Sequence, residues 1–409
     1  MNCRFDKKPI ETVMLDLGHC PPSNSYLTSE QLLQPEVTYP LKVYVSERTF
    51  YAQVPEFKRA TEIFNEEYAY FSSFSTSWLA HCQRYVVEMI SRLQLGSESL
   101  VVEVASNDGY LLQYFKEKHI PCLGVEPSLS VAKVARDKGI ETVVDFFGER
   151  LASKLVAERR RPNLILGNNV FAHVPDINDF IRGLKLLLAD DGVVTLEFPH
   201  LLKLIEENQF DTIYHEHYSY FSLYTVQLLV QAHGLAVFDV DELPTHGGSL
   251  RVYLKHAENA SHAVNIRVSQ VIGREIAAGL TDLETYRNFS RKAESVKVQF
   301  LKFLLNAKEQ GKKVAAYGAA AKGNTLLNYC GVKPDLLQFV VDASPFKQGK
   351  YMPGSHIPIT AESALRAEKP DFIVILPWNL RDEICTQLAY AKEWGARLVV
   401  AIPELTFLT

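Results

Sequence analysis

Two stretches in which short apolar runs alternate with helical segments constrain the fold of this chain most. Between residues 98 and 200, strand-like runs such as SLVVEVAS and PNLILGNN alternate with helical patterns such as VAKVARDKG. A second alternating stretch begins at KKVAAYG and continues through LLQFVVDAS and DFIVILPWN to RLVVAIPE. Strands that alternate with helices predict parallel βαβ units. We therefore expect an α/β fold with two Rossmann-like sheets, whose ligands bind beyond the carboxyl ends of the strands.

The segments outside these stretches give weaker patterns. Residues 1–60 are irregular, except that 41–54 alternates as two short strands around a turn. Helical spacing covers about 76–94, and 282–310 has the pattern of one long helix with mixed charges. THGGSLRVYLKH at 245–256 predicts a turn that leads into a strand.

Charge and cysteine usage exclude several classes of protein. The 409 residues include 43 Lys and Arg against 48 Asp and Glu, a net charge of -5, so the basic excess typical of nucleic-acid binding is absent. No apolar run is long enough to cross a bilayer, and MNCRFDKKPIET has no apolar signal core. The six cysteines are scattered without a C-x-x-C pair, which is typical of reduced thiols. We expect a cytoplasmic protein that binds neither nucleic acid nor membrane.

The segment EVASNDGYLL, residues 103–112, is a strand, a small-residue loop and the start of a helix. Gly109 suits the tight geometry of such a loop, through which a ligand can approach the backbone. Glu126 ends the next strand, where a carboxylate can bind both ribose hydroxyls, and Asp145 with Phe146 ends the third, where they can hold an adenine. The alternative is a generic βαβ turn with a solvated glutamate. Because no G-x-G-x-x-G is present, S-adenosylmethionine is favoured over NAD.

GNNVFAHVPD, residues 167–176, follows the fourth strand of the first stretch. It places Asn168, Asn169 and His173 where a reacting substrate would lie. The alternative is that the asparagines cap a helix and that His173 packs in the core. The sequence alone leaves the two interpretations open.

The segment YHEHYSYFS, residues 214–222, concentrates ionisable and aromatic side chains. Its H-x-H and E-H spacings are compatible with a metal site, but no further ligand set accompanies them. A hydrogen-bonded structural cluster is a second interpretation. General acid/base chemistry is favoured, because His and Glu are the usual proton-transfer groups.

In YGAAAKGN, residues 317–324, two glycines flank a small-residue turn that contains one charge, Lys322. Small residues permit close packing of a helix on a strand. The same pattern is compatible with a phosphate site, formed by the N–H groups of a helix N-terminus and one lysine. Neither interpretation is favoured by the pattern alone.

These segments, in this order, resemble the sugar C-3 methyltransferases that act on nucleotide-linked 4-keto-deoxyhexoses. The resemblance extends over nearly the whole chain and includes LGHCPPSNSYL, EEYAYFSSFSTSW, HGGSLRVY and VDASPFKQGKYMPGSHIPI. It implies a small zinc-binding-type lobe at 1–70, a domain that binds S-adenosylmethionine at 71–256, and a Rossmann-like domain on the nucleotide-sugar side at 257–409. The sugar is expected between the last two domains.

The motifs and the resemblance together assign roles to individual residues. The cofactor-binding residues are Glu103, Ala105, Ser106, Asn107, Gly109, Tyr110, Glu126, Asp145, Phe146, Asn168 and Asn169, of which Asn169 also faces the sugar. The catalytic residues are Tyr68, His173, Tyr214, Glu216 and His217. The substrate-binding residues are His246, Gly247, Ser249, Lys322 and Asn324. We expect His217 to be the base, because an imidazole near its reference pKa of about 6.5 is available at neutral pH, with Glu216 as the alternative.

The sequence departs from the family in two places. Ala105 replaces the usual glycine of the cofactor loop. In the N-terminal lobe the family has two C-x-x-C pairs, whereas this chain has Cys3, Asp6, Ser46 and Thr49. Because structural zinc needs four good ligands, we expect no zinc and a lobe held by apolar packing. The candidate core residues of the lobe are Leu17, Val43, Val45 and Tyr51.

The sequence therefore predicts an S-adenosylmethionine-dependent C-methyltransferase of branched deoxysugar biosynthesis. The 4-ketone acidifies the C-3 hydrogen, a base removes it, and the resulting enolate takes the methyl group at C-3. An epimerase or dehydrogenase is a rival, although the Tyr-x-x-x-Lys pair usual there is absent beside the first unit. An O- or N-methyltransferase is a third possibility. The sequence does not distinguish dTDP from GDP as the carrier, or a monomer from a homodimer.

Overall fold

The computed structural model describes residues 1–59, Glu62 and 72–408, with the backbone alone for Phe74. The strands of this part of the chain are β1 (Val13–Cys20), β2 (Tyr39–Val45), β3 (Ala52–Gln53), β4 (Val101–Val104), β5 (Cys122–Val125), β6 (Thr142–Val143), β7 (Leu164–Asn168), β8 (Val193–Pro199), β9 (Ser219–Tyr220), β10 (Leu235–Leu243), β11 (Ser249–His256), β12 (Val314–Tyr317), β13 (Val340–Val341), β14 (Ile359–Thr360), β15 (Phe372–Ile375), β16 (Arg397–Val400) and β17 (Thr406–Leu408). The α-helices are α1 (Thr76–Leu93), α2 (Leu112–Glu117), α3 (Leu129–Asp137), α4 (Glu149–Ala157), α5 (Ile177–Leu187), α6 (Leu201–Glu206), α7 (Leu223–Gln231), α8 (Ile266–Ala277), α9 (Leu283–Glu309), α10 (Ala321–Cys330), α11 (Ser363–Glu368) and α12 (Arg381–Gln387).

The central sheet has the order β10-β11-β8-β7-β4-β5-β6. Its strands β4 to β8 are parallel and follow the apolar runs of the sequence, whereas β10 and β11 form an antiparallel hairpin at one edge. The C-terminal sheet has the order β14-β13-β12-β15-β16-β17 and is parallel except for β17. The predicted α/β class with two Rossmann-like sheets is confirmed.

The N-terminal segment forms a separate antiparallel sheet, β1-β2-β3-β9. The expectation of an irregular segment was wrong for β1, whose shifted register with β2 interrupts the alternation that a regular strand shows. The fourth strand, β9, comes from residues 219–220 of the central part of the chain. The segment YHEHYSYFS, residues 214–222, therefore contributes one strand to the N-terminal sheet.

The predicted core residues of the N-terminal lobe are buried, and they pack into two different cores. Leu17, Val43 and Val45 belong to the apolar core that also contains the C-terminal sheet. Tyr51 packs into the core of the central sheet. The lobe is thus held between the two larger sheets by apolar contact.

The first residues of two helices are explained by a capping side chain in one case and by backbone angles in the other. The expected helix at 282–310 is α9, which begins after Asp282, whose carboxylate accepts a hydrogen bond from the N–H of Glu284 at 2.9 Å. The helix expected to start within EVASNDGYLL begins only at its last residue, Leu112. Residues 105–109 adopt turns instead, because three of them have positive φ angles.

Candidate active site

The loop between β4 and α2 follows the carboxyl end of β4 and has an unusual backbone, with three positive φ angles. Ala105, Asn107 and Gly109 have φ angles of +56°, +49° and +75°. A Cβ atom on Gly109 would lie 2.4 Å from Cδ1 of Ile140, so both the angle and the space require glycine. Ala105 adopts the left-handed region at the position where the family has glycine.

Glu126 connects this loop to the one after β5. Its carboxylate accepts hydrogen bonds from the N–H of Asn107 at 3.0 Å and of Ser128 at 2.8 Å, and the residue is 3% exposed. Burial raises the pKa of the carboxyl, and the two N–H groups act in the opposite direction. A carboxylate held between two loops at the ends of adjacent strands fits the predicted ribose-binding role.

Three other residues predicted for the cofactor site form the interior of the turn. Glu103 is fully buried beside the hydroxyl of Tyr110, and burial raises the pKa of its carboxyl well above the usual range. Ser106 closes the turn against β5, because a Cβ on Gly124 would lie 2.4 Å from the Ser106 Oγ. The side chains of Glu103, Ser106 and Tyr110 are therefore buried in the protein interior beneath the loop.

Asn168 and Asn169 lie at the end of β7. Asn168 is 6% exposed, and neither its Oδ1 nor its Nδ2 has a hydrogen-bond partner among the described residues. The Asn169 amide donates to Nε2 of His246 at 3.0 Å. Because buried polar atoms are normally paired, the unpaired Asn168 amide fits a site for a polar ligand such as S-adenosylmethionine.

Asp145 and Phe146 lie at the far edge of this site. Both carboxylate oxygens of Asp145 accept from Nη2 of Arg150 at 2.6 Å. Phe146 is 38% exposed. The ring of Phe146 is therefore accessible to a flat ligand. The Asp145 carboxylate, in contrast, is already hydrogen-bonded to Arg150.

The segment 214–217 forms a turn, closed by a hydrogen bond from the N–H of His217 to the carbonyl of Tyr214 at 3.0 Å. Nδ1 of His217 lies 2.9 Å from the carbonyl oxygen of Thr212, which can only accept, so Nδ1 carries the hydrogen. Nε2 is then an acceptor, and the Tyr214 hydroxyl donates to it at 2.8 Å. Burial lowers the pKa of His217 well below its usual value. The imidazole is therefore neutral, with its basic nitrogen toward Tyr214.

His173 packs against His217, with ring centroids 4.7 Å apart, and its Nδ1 donates to the backbone carbonyl of Glu216 at 2.7 Å. Burial lowers the pKa of His173 to about 4. The structure therefore brings together the histidines from the two motifs, 167–176 and 214–222. Tyr68, the remaining residue predicted to be catalytic, lies outside the described residues.

Glu216 is 6% exposed, and burial raises the pKa of its carboxyl. Nδ2 of Asn24 lies 3.5 Å from Oε1, while Oε2 has no partner among the described residues. Asn24 belongs to the LGHCPPSNSYL segment, so the N-terminal lobe reaches the predicted catalytic segment. His215, in contrast, packs against Tyr39 and Phe57 of the lobe.

The loop 245–249 lies across from Asn169. The carbonyl of Gly247 accepts from Nε2 of Gln209 at 2.6 Å, and the hydroxyl of Ser249 donates to the carbonyl of Thr245 at 2.9 Å. Gly247 has φ +91°, and a Cβ there would lie 2.4 Å from the ring of Trp378. Trp378 of the C-terminal domain thus packs directly on the backbone of this loop.

Lys322 lies in the first turn of α10. Its ammonium donates to Oδ1 of Asn379 at 2.7 Å and lies 4.5 Å from the centroid of the Trp378 ring. Burial lowers its pKa, opposed by the charge of Asp211. Burial raises the pKa of Asp211 to about 6, and its carboxylate accepts from Nε1 of Trp378 at 2.8 Å.

The glycines beside Lys322 are explained by close packing, since a Cβ on Gly318 would lie 2.4 Å from Pro377 and one on Gly323 2.8 Å from Leu376. Asn324 is 1% exposed, and its Nδ2 has no partner among the described residues. Its side chain is at the same helix terminus as Lys322. The N-terminal turn of α10 therefore combines tight packing with polar groups that are available to a ligand.

Sequence reasoning missed Asn24, Asp211 and Trp378. Asp211 and Trp378 are 167 residues apart, so no local pattern connects them. Asn24 lies in LGHCPPSNSYL, a segment that carried the family resemblance, and the resemblance was the signal available for it.

Within the part of the chain that the structure describes, no three His, Cys, Asp or Glu side chains gather in a way that could hold a metal ion. No described helix combines the length and the apolar character that crossing a bilayer requires.

Comparisons with known proteins match all three parts of the chain. The family described as a putative zinc binding domain matches residues 3–64, a methyltransferase domain matches 78–240, and a C-methyltransferase C-terminal domain matches 244–403. C-methyltransferase NovU of Streptomyces niveus is 35% identical over 391 residues, which cover 96% of this chain and 93% of NovU. The chain belongs to this C-methyltransferase family.

Membership confirms the resemblance inferred from the motifs. The protein is an S-adenosylmethionine-dependent C-methyltransferase, and the epimerase and dehydrogenase alternatives are set aside. Similar solved structures include an S-adenosylmethionine-dependent methyltransferase from Anabaena variabilis, 19% identical over 44% of this chain and 86% of that one, with a TM-score of 0.36. Another is PH0226 from Pyrococcus horikoshii, 14% identical over 46% of this chain and 94% of that one, with a TM-score of 0.38.

Proposed function

We propose that this C-methyltransferase methylates C-3 of a nucleotide-linked 4-keto-deoxyhexose through an enolate. The observation that carries the proposal is the neutral His217, whose Nε2 is an acceptor held by the Tyr214 hydroxyl. A base of this kind suits removal of a hydrogen that an adjacent ketone has made acidic. An O- or N-methyltransferase acting on a hydroxyl or amine needs no ketone.

The cofactor, when bound, supplies an electrophilic methyl group on a positively charged sulfur. Asn168 and Asn169 at the end of β7, together with Glu126, are the residues that would hold it. The Asn169 amide also donates to His246 at 3.0 Å. This hydrogen bond joins the end of β7, where the cofactor is proposed to bind, to the loop 245–249. This contact supports an acceptor bound against His246, Gly247 and Ser249.

We assign the proton transfer to His217. The C–H bond at C-3 breaks, its electron pair forms the C-3–C-4 double bond of the enolate, and the proton goes to Nε2. Tyr214, released from Nε2, donates its hydroxyl hydrogen bond to the C-4 oxygen as that oxygen gains negative charge. Glu216, whose buried carboxyl has a raised pKa, is the alternative base.

The nucleotide is proposed to lie toward the C-terminal domain. Lys322 and Asn324 provide a cation and an amide in the first turns of α10, where backbone N–H groups also point outward. Thr325 of the same helix donates to the carbonyl of Ile213 at 2.9 Å. Nucleotide binding at α10 would therefore be connected directly to the catalytic segment.

The test is turnover with methyl-¹³C-labelled S-adenosylmethionine and a panel of dTDP- and GDP-linked 4-keto sugars. We expect the label on a carbon of the sugar, with the adjacent ketone retained, as read by carbon NMR. The borohydride-reduced 4-hydroxy sugars are the matched control and should remain unmethylated. Label on oxygen or nitrogen, or equal methylation of the reduced sugars, would overturn the proposal.

A further inference from the structure

Trp78, in the first turn of α1, lies between the cofactor loop and the loop 245–249. Its ring centroid is 6.2 Å from that of Tyr110 and 5.5 Å from that of His246. Tyr110 follows the loop after β4, and His246 is hydrogen-bonded to Asn169 at the end of β7. The indole thus lies between the two loops that are proposed to hold the cofactor and the acceptor.

The indole is held by a buried polar network. His81, one turn further along α1, stacks on Trp78 at a centroid distance of 5.0 Å and an interplanar angle of 23°. Nε2 of His81 lies 3.0 Å from Oε2 of Glu197, which also accepts from Nη2 of Arg251 at 2.8 Å. Glu197 and Arg251 are 0% and 3% exposed. These contacts fix one face of the indole.

The same network determines the charge around the indole. Burial opposes ionisation of Glu197, but His81 and Arg251 hold the pKa of its carboxyl below the usual value, so it is a carboxylate. Its other oxygen accepts from the hydroxyl of Thr245 at 3.0 Å, which ties the loop 245–249 to the network. Arg251 is paired with Glu197 and also lies 3.7 Å from Glu88, so its positive charge is compensated. An indole face beside a compensated charge favours a cation.

We propose that Trp78 contacts the positively charged sulfur end of S-adenosylmethionine, and that His81, held by Glu197, positions the indole. A sulfonium has no hydrogen-bond donor, so an aromatic face is one of the few groups that can stabilise its charge. The product, S-adenosylhomocysteine, is a neutral thioether and gains no such stabilisation. Trp78 therefore discriminates between cofactor and product. The inference depends on the cofactor alone and is independent of the acceptor sugar.

The test is calorimetric binding of S-adenosylmethionine and S-adenosylhomocysteine to Trp78→Leu and Trp78→Phe. A cation–aromatic contact corresponds to a loss of about 3- to 30-fold in affinity for S-adenosylmethionine in Trp78→Leu. We expect S-adenosylhomocysteine to lose clearly less, and Trp78→Phe to retain most of the selectivity. Equal losses for both ligands, or no loss, would overturn the proposal.

A fluorescence measurement keeps the inference testable if Trp78→Leu does not fold. The chain has three tryptophans, of which Trp394 donates to the carbonyl of Pro370 in the C-terminal domain. S-adenosylmethionine should change the emission of the wild type and of Trp394→Phe, but not of Trp78→Phe. An undiminished change in Trp78→Phe would contradict the contact.

The variant His81→Leu tests whether His81 positions the indole of Trp78. It should lower the ratio of the two affinities, a readout that general destabilisation of the fold does not change. A ratio equal to that of the wild type would remove His81 from the proposal.

Discussion

Nε of Arg48 lies 2.7 Å from Oδ2 of Asp6, and this ion pair joins the two turns at which the family's zinc ligands would lie. The Cys3 sulfur accepts from Nε2 of Gln53 at 3.4 Å, and the Ser46 hydroxyl accepts from the N–H of Thr49 at 3.3 Å. Cys3, Asp6 and the Ser46 hydroxyl thus have partners within the protein. The Thr49 hydroxyl is buried and has none among the described residues.

We accordingly predict that the protein purified without chelator contains substoichiometric zinc. EDTA should leave the melting temperature unchanged, whereas Arg48→Leu should lower it slightly, because the pair is partly exposed. Elemental analysis and thermal melts check this. One zinc per chain, or a melt sensitive to EDTA, would show that metal is still bound.

Glu126→Ala should weaken binding of S-adenosylmethionine. The variant would lose the predicted ribose contact and leave two loop N–H groups without their acceptor, a cost of about 1.5–3 kcal/mol, or roughly 10- to 150-fold in affinity. Calorimetry measures the change. Glu141→Ala is the matched control, because that carboxylate is exposed and pairs with Arg160. Wild-type affinity in Glu126→Ala would remove Glu126 from the site.

His217→Asn should keep cofactor affinity while losing turnover and exchange of the C-3 hydrogen with heavy water. Loss of a general base costs about a hundred- to ten-thousand-fold in rate. Exchange is followed by NMR of the sugar nucleotide in the absence of methyl transfer. Exchange at the normal rate in His217→Asn, abolished instead by Glu216→Gln, would assign the base to Glu216.

His173 should make the fold less stable in mild acid. Its pKa is lowered to about 4 in the folded state from 6.5, so between these values the unfolded chain binds more protons and stability falls as the pH falls. This residue should contribute a loss of about 2 kcal/mol between pH 7.5 and 5. Urea unfolding at both pH values should show a smaller loss in His173→Asn. The control, the exposed His119→Asn, should follow the wild type.

Gly247→Ala should impair the loop that faces the proposed acceptor. The new Cβ would meet Trp378, in addition to the strain of a positive φ, which costs about 1 kcal/mol. Gly349→Ala has a similar φ of +79° in open space, so it carries the strain without the contact. We expect Gly247→Ala to lose more stability than Gly349→Ala and to raise KM for the acceptor. Equal effects in the two variants would exclude a role for the Trp378 contact.

The parallel strands of both sheets could be predicted because a strand buried on two faces is a continuous apolar run, as in β4 and β7. The pairing of β9 with β3 could not, because two residues carry no periodicity and the partner is far away in the chain. Similarly, β10 was not anticipated, since only its hairpin with β11 defines it.

The candidate site likewise contains some features that the sequence could predict and others that it could not. The position of Glu126 could be predicted because the end of a strand is a local feature of the sequence, and its role toward the ribose stays a prediction. His217 could be named from its motif, but the occupation of both its nitrogens depends on Thr212 and Tyr214 in a folded turn. The network behind Trp78 joins residues from α1, β8 and β11, and only tertiary structure assembles it.

The pairing of β9 with β3 has a consequence for protein engineering. Residues 214–217 lead directly into β9, whose Ser219 bonds to Tyr51 of the lobe across 168 residues. A truncated enzyme that begins after residue 59 would keep His173, Tyr214 and His217 yet lose the strand that anchors their turn. A chimera that exchanges lobes between relatives would have to carry a matching 219–220 segment with the graft, so the smallest transferable unit is discontinuous in the chain.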